Sequence, residues 1–136
     1  LHEVYNMNQL TRRQLRTELM NQLYQYDLYQ SEGFPFIPSF EDETMETMYH
    51  SLMEVMKDID QIIEKHLFDY SLYRLNFVDR AIIRLATYEL KYTKTEKQII
   101  INEAVELTKM YSNLDDEKQH KFTNRLLDNI AKTLKG

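Results

Sequence analysis

The sequence has no cysteine and only two glycines and two prolines in 136 residues. Without cysteine there are no disulfides, no zinc ribbon and no thiol nucleophile. So few glycines and prolines give little chain punctuation, which favours long helices over many short strands. No apolar run approaches the ~20 residues needed to span a bilayer. No charged-then-apolar leader is visible either, which makes the cytoplasm the expected compartment. There is no glycine-rich phosphate loop and no nucleophile elbow. His2, His50, His66 and His120 show no ligand spacing, and Asp115, Asp116 and Glu117 lack the spacing of a calcium loop. No metal, no cofactor and no enzymatic activity are therefore expected.

What is present is charge, unevenly spread. The net charge is −5. Residues 1–16 carry three basic and one acidic side chain, residues 17–70 two basic and twelve acidic, and residues 71–136 twelve basic and nine acidic. With a screening length of ~8 Å at physiological salt, a local basic site can act independently of an acidic whole. A chain of 136 residues with 43% hydrophobic content suggests one globular domain, residues 1–136. Residues 1–9 carry little pattern and read as a possible arm.

The pattern is helical. A first helix is expected over residues 11–29, opened by a Thr11/Gln14 capping box, with Leu15, Leu19, Leu23 and Tyr26 as its core stripe. Ser31, Gly33, Pro35 and Pro38 force a loop whose Phe34, Phe36 and Phe40 are expected to fold back on the core. A second long helix is expected from Ser39 to Lys65, on the stripe Met45, Met48, Tyr49, Leu52, Met56, Ile59 and Ile63. At ~1.5 Å per residue it would be roughly 39 Å long. Phe68, Leu72 and Leu75 suggest a short helical turn. Residues 77–92 and 98–111 then read as two antiparallel helices, the first capped by Asn76, the second by a Thr95/Gln98 box, joined through residues 93–97. A loop follows, with Asn113, Asp115 and Asp116 as turn formers, and a last helix from about Lys118 bears the stripe Phe122, Leu126, Ile130 and Leu134. The expected fold is all-α: a compact bundle of about six to seven helices, with an N-terminal helical part packed on a C-terminal one.

Three clusters stand out chemically. Arg12, Arg13 and Arg16 occupy the first turns of a helix, where its dipole already supplies about +0.5 charge and disfavours cations. With no acidic residue between Glu3 and Glu18, the residues alone leave open an anion site or a solvated helix end. On the anion-site reading, alanine substitution of all three would leave folding unchanged or slightly improved, because the helix dipole is relieved. Lys118, His120, Lys121, Phe122 and Arg125 combine cations with an aromatic ring, a pairing suited to single-stranded RNA, although Phe122 also fits the core stripe. Asn102 and Glu103 interrupt an apolar helix start, and Arg84 on the facing helix is the expected partner of Glu103.

The segments VDRAIIRLATYEL and IINEAVELTKMYS, with the early arginines and a terminal HKFTNRLLDNIAK, resemble the bacterial transcription antitermination factor family NusB over roughly residues 10–134. That resemblance implies an all-α RNA-binding factor that pairs with ribosomal protein NusE of the small subunit. Together they would bind single-stranded boxA-type RNA, and the assembly would modify RNA polymerase to read through terminators. It implies RNA contacts at Arg12, Arg13, Arg16, Lys121 and Phe122, and a NusE surface including Tyr24, Asp79 and Arg80, with Tyr24 and Asp79 at least partly exposed. The chain departs from the family pattern at Arg125, where FTNRLL replaces FVNGVL, and in a longer loop before His120. Two other readings fit the same sequence: the NusB-like domain of an RNA cytosine methyltransferase, and a helical adaptor that binds protein alone.

Overall fold

The computed structural model describes residues 11–68, 71–112 and 117–135. The arm expected over residues 1–9 and the turn formers Asn113, Asp115 and Asp116 lie outside them. Among the described residues the elements are α1 (Arg12–Glu32), α2 (Glu43–Glu54), α3 (Met56–Lys65), a 3-10 turn (Leu72–Arg74), α4 (Phe77–Tyr92), α5 (Lys97–Tyr111) and α6 (Glu117–Lys135), with no strand.

Local chemistry sets most of the helix ends. Thr11 Oγ1 accepts from Gln14 N at 3.1 Å while Gln14 Oε1 accepts from Thr11 N at 2.8 Å, so the box at the start of α1 is complete. Its other end closes on Gly33 at φ 79°, where the Gly33 and Phe34 N–H groups satisfy the Gln30 and Tyr29 carbonyls. Asn76 caps α4 through Asp79 N at 2.8 Å.

Four expectations need correction. The second long helix is two helices. It starts after Asp42, whose Oδ1 accepts from Met45 N, and breaks at Val55 (φ −111°, ψ 13°), where the Val55 N–H turns to the Leu52 carbonyl. The apolar spacing runs through that break unshifted, so periodicity alone shows one helix. At α5 the expected Thr95/Gln98 box is absent: Glu96 is the cap residue without a side-chain bond, and Gln98 Nε2 donates to Asn102 Oδ1 instead. Phe34 does not fold back and is 66% exposed, whereas Phe36 and Phe40 do pack, against Tyr29 and Tyr49. Arg84 does not meet Glu103; it binds Asp27 and Asp60.

The bundle is arranged around α4. Every residue from Asp79 to Leu90 is buried, a pattern that identifies a helix enclosed on all sides. α1, α3, α5 and α6 all pack on it, and α5 and α6 pack on each other. Ile82, Ile83, Leu85 and Leu90 fill the contacts with Leu19 and Leu23 of α1, Ile59 and Ile63 of α3, Ile100 and Leu107 of α5 and Leu127 and Ile130 of α6 within one apolar cluster. Each such side chain, fully buried, contributes roughly 1.5–3 kcal/mol. α4 thereby fixes where the start of α1 and the middle of α5 meet, which is where the arginines lie.

Candidate nucleic-acid interface

The capping box closes the first turn of α1, and the three arginines that follow have three different fates. Arg12 is exposed and has no ion-pair partner among the described residues. Arg13 reaches α5, with Nε 3.0 Å and Nη2 2.9 Å from the same oxygen of Glu103. Arg16 points inward and is 6% exposed. It grips both oxygens of Glu89 on α4, with Nε and Nη2 at 2.9 and 2.8 Å. Those hydrogen bonds hold the Arg16 guanidinium above its ordinary pKa against the opposing pull of burial. The cluster is thus neutralised in space by carboxylates 73 and 90 residues away. Only Arg12 and the outer edge of Arg13 are available to an anion.

The second group lies on the first turns of α6. Lys121 is exposed, with Nζ 3.2 Å from Glu117 one turn back on its own helix. Such an exposed pair is weak and leaves the ammonium open to exchange. Phe122 is half-buried and packs against the core, with only part of its ring on the surface. Arg125, the departure from the family pattern, is exposed. The ion pairs of Arg13 and Arg16 lead to α5 and α4, whereas that of Lys121 stays within α6.

At the expected protein-binding surface, Tyr24 is half-buried and meets Phe77 edge-on, with ring centroids 6.2 Å apart. Asp79 is not exposed as expected; its exposure is 1%. The end of α5 covers it, and Ser112 Oγ donates to its Oδ2 at 3.4 Å. Burial pushes the Asp79 carboxyl above the usual carboxylate range, with the Ser112 and Asn76 hydrogen bonds opposing. Arg80 is buried as well. Its Nη2 donates to the Tyr73 and Leu75 carbonyls at 3.1 Å each, and its guanidinium lies over the Tyr73 and Phe77 rings at 4.7 and 5.1 Å. The accessible groups here are therefore aromatic, Tyr24, Phe77 and the exposed Tyr73, with the charges beneath them.

Sequence reasoning missed Asp27, Asp60 and Glu89 as partners of the buried arginines. One signal was available: Arg16, Met20, Leu23 and Asp27 share one helical face, so two charges stand on the core stripe. Beside this network a cleft of about 890 Å³ opens, lined by Tyr26, Gln30, Lys57, Gln61 and Tyr73 among others. Arg84 at its floor already makes four hydrogen bonds to Asp27 and Asp60. Among the described residues no group of three or more metal-ligating side chains is placed to hold an ion, and no helix is long and apolar enough to cross a membrane.

The NusB family model matches residues 13–132, nearly the whole chain. The chain belongs to the NusB family. It is 37% identical to the transcription antitermination protein NusB of a Nitratiruptor species, over 93% of this chain and 95% of that protein. It is likewise 37% identical to the NusB protein of Staphylococcus haemolyticus, over 89% of this chain and 99% of that one. The fold superimposes on T. maritima NusB with a TM-score of 0.77 at 31% identity, covering 91% of this chain and 92% of that one. A crystal structure of the antitermination factors NusB and NusE in complex with dsRNA matches with a TM-score of 0.70 at 27% identity, over 90% of this chain and 96% of that one. As a NusB family member the chain has the expected all-α fold, with α4 as its centre.

Proposed function

We infer that this chain is an RNA-binding transcription antitermination factor that works as a heterodimer with ribosomal protein NusE. The observation that carries this reading is the likeness, over nearly the full length of both chains, to NusB bound to NusE and RNA. The relatives it matches end to end are antitermination proteins, which favours this reading over a methyltransferase domain. The chain would supply affinity and position, and no bond is made or broken. Arg12 and the outer edge of Arg13 contact phosphates, and Arg16 clamps Glu89 to hold the start of α1 in place beneath them. Lys121 and the exposed edge of Phe122 form a second contact on α6. Tyr24 contacts NusE, and Asp79 and Arg80 support that surface from below. The assembled complex then engages RNA polymerase, on a boxA-type element of the nascent transcript.

The test is a titration of the chain, alone and with NusE, against a boxA-type RNA as a single strand and the same sequence as a duplex, at several salt concentrations. Expected is salt-sensitive binding, strengthened by NusE, with a log–log slope of about 0.7 per phosphate contact on the single strand. Binding of NusE with no salt-sensitive RNA binding would leave the protein-only adaptor. A preference for the duplex would reassign the RNA class, since the structurally similar complex holds dsRNA.

A further inference from the structure

Among the described residues, the Arg13–Glu103 pair differs from the other arginine–carboxylate pairs. The Arg16–Glu89 pair uses both carboxylate oxygens and both side chains are almost fully enclosed, at 7% and 6% exposure, so no phosphate can reach it. In the Arg13–Glu103 pair the arginine side chain is 52% exposed and the glutamate 22%, and both guanidinium nitrogens bind one oxygen. The carboxylate therefore occupies the Nε–Nη2 edge of Arg13, through which a phosphate could bind with two nitrogens, and leaves only the outer edge open. An exposed pair of this kind is weak enough for another anion to displace it. We propose that Glu103 is a positioning residue of the RNA interface, a built-in competitor that holds Arg13 on α5 until an RNA phosphate takes its place. This inference rests on the assignment of the arginine cluster to RNA.

Glu103 thus sets the affinity of the site. Arg12 is open to any passing anion, whereas Arg13 is released only to a ligand that presents phosphate beside α5 while Arg12 is engaged. Single anions would gain little from one contact. A phosphodiester chain running from Arg12 toward α5 offers the second contact at high local concentration and displaces the carboxylate.

RNA titrations across a salt series test this with E103Q, E106Q, R13A and the double variant R13A/E103Q, each first shown to melt as the parent does. Glu106 supplies the matched control: it is on the same helix, its charge change is the same, and its carboxylate rests on Lys109. E103Q is expected to tighten single-stranded RNA binding about 1.5- to fivefold, with a log–log salt slope at least as steep as the parent's, since both proteins make the Arg13 phosphate contact of ~0.7. E106Q is expected to do less, and the gain from E103Q is expected to fall away in the R13A background. An unchanged or weaker E103Q overturns the proposal, as does an equal gain with Arg13 removed. If R13A weakens binding while E103Q is inert, the inference fails and the arginine site stands. If R13A has no effect on RNA binding, the arginine site fails and the inference falls with it.

Discussion

Arg84 Nη1 lies 3.0 Å from each carboxylate oxygen of Asp27, deep between α4 and α1. The remaining edge of the same guanidinium holds Asp60 of α3, with Nε and Nη2 each at 2.9 Å. Burial pulls this arginine toward neutrality, but the Asp60 hydrogen bonds and the charges of Asp60 and Asp27 outweigh it and keep the guanidinium above its ordinary pKa. One side chain thus ties three helices together through charge where apolar packing alone would serve elsewhere.

Replacing Arg84 with methionine keeps much of the volume, takes the arginine away from Asp60, and leaves Asp27 only its longer 3.4 Å pair with Arg80. The expected cost is about 3–5 kcal/mol, seen as a lower midpoint in urea unfolding. Replacing Arg84 and Asp60 together with apolar residues of similar size is expected to recover part of that loss, because both desolvated charges disappear while Asp27 keeps its pair with Arg80. A single substitution costing less than about 1 kcal/mol would show that the network does not carry the packing of α1 and α3 on α4.

Asp79 gives a pH prediction. Its Oδ1 has no hydrogen-bond partner among the described residues, and burial raises its pKa. The unfolded chain ionises this group at the usual carboxylate pH, and the folded one does so later. The stability it contributes is therefore fully present below the unfolded value, roughly pH 4, and is lost as pH rises through the folded one. Asp79→Asn should accordingly melt above the parent at neutral pH, with the difference closing in acid. A constant difference across that range would mean that the hydrogen bonds and the helix terminus balance burial, and a difference growing in acid that they outweigh it. The reversal Asp79→Lys, by contrast, puts an ammonium into a closed site and lowers stability, so it cannot report on a protein interface.

The arginine cluster divides in the same way. Arg16→Ala leaves Glu89 buried and unpaired and is expected to cost about 3–5 kcal/mol, against the earlier expectation that substitution there leaves folding unchanged. Arg12→Ala should change stability by no more than about 0.5 kcal/mol and should flatten the salt dependence of RNA binding by ~0.7 in slope. Chemical denaturation and RNA titration on the two single variants separate the roles. Equal effects of both on RNA with no loss of stability would return Arg16 to the surface.

Features that depend on a few neighbouring residues were readable from the sequence. The Thr11/Gln14 box and the Asn76 cap follow from local hydrogen-bonding chemistry, and the short connection between α4 and α5 from the polar run that breaks the apolar pattern. The break at Val55 was not readable, because Met45, Tyr49, Leu52, Met56, Ile59 and Ile63 keep helical spacing across it. The arginines were visible as a cluster, but their neutralisation by Glu89 and Glu103 was not, since only the packing of α1 on α4 and α5 brings those carboxylates near. For the same reason Asp79 and Arg80 read as surface charges although the end of α5 and the 3-10 turn enclose them.

The buried ion pairs also carry an orientation. Along α1 the basic residue comes first, Arg16, and the acidic one later, Asp27. Along α4 the order is the same: Arg80 and Arg84, then Glu89. Laid antiparallel, each charge meets its opposite, as observed. Were α1 to dock in the other direction, Arg16 would confront Arg80 and Arg84, and Asp27 would confront Glu89, all away from water. Leucine and isoleucine stripes are nearly indifferent to that choice, since an apolar face reads much the same from either end. The charges therefore act as an arrow on the helix, admitting one direction of assembly and penalising its mirror during folding.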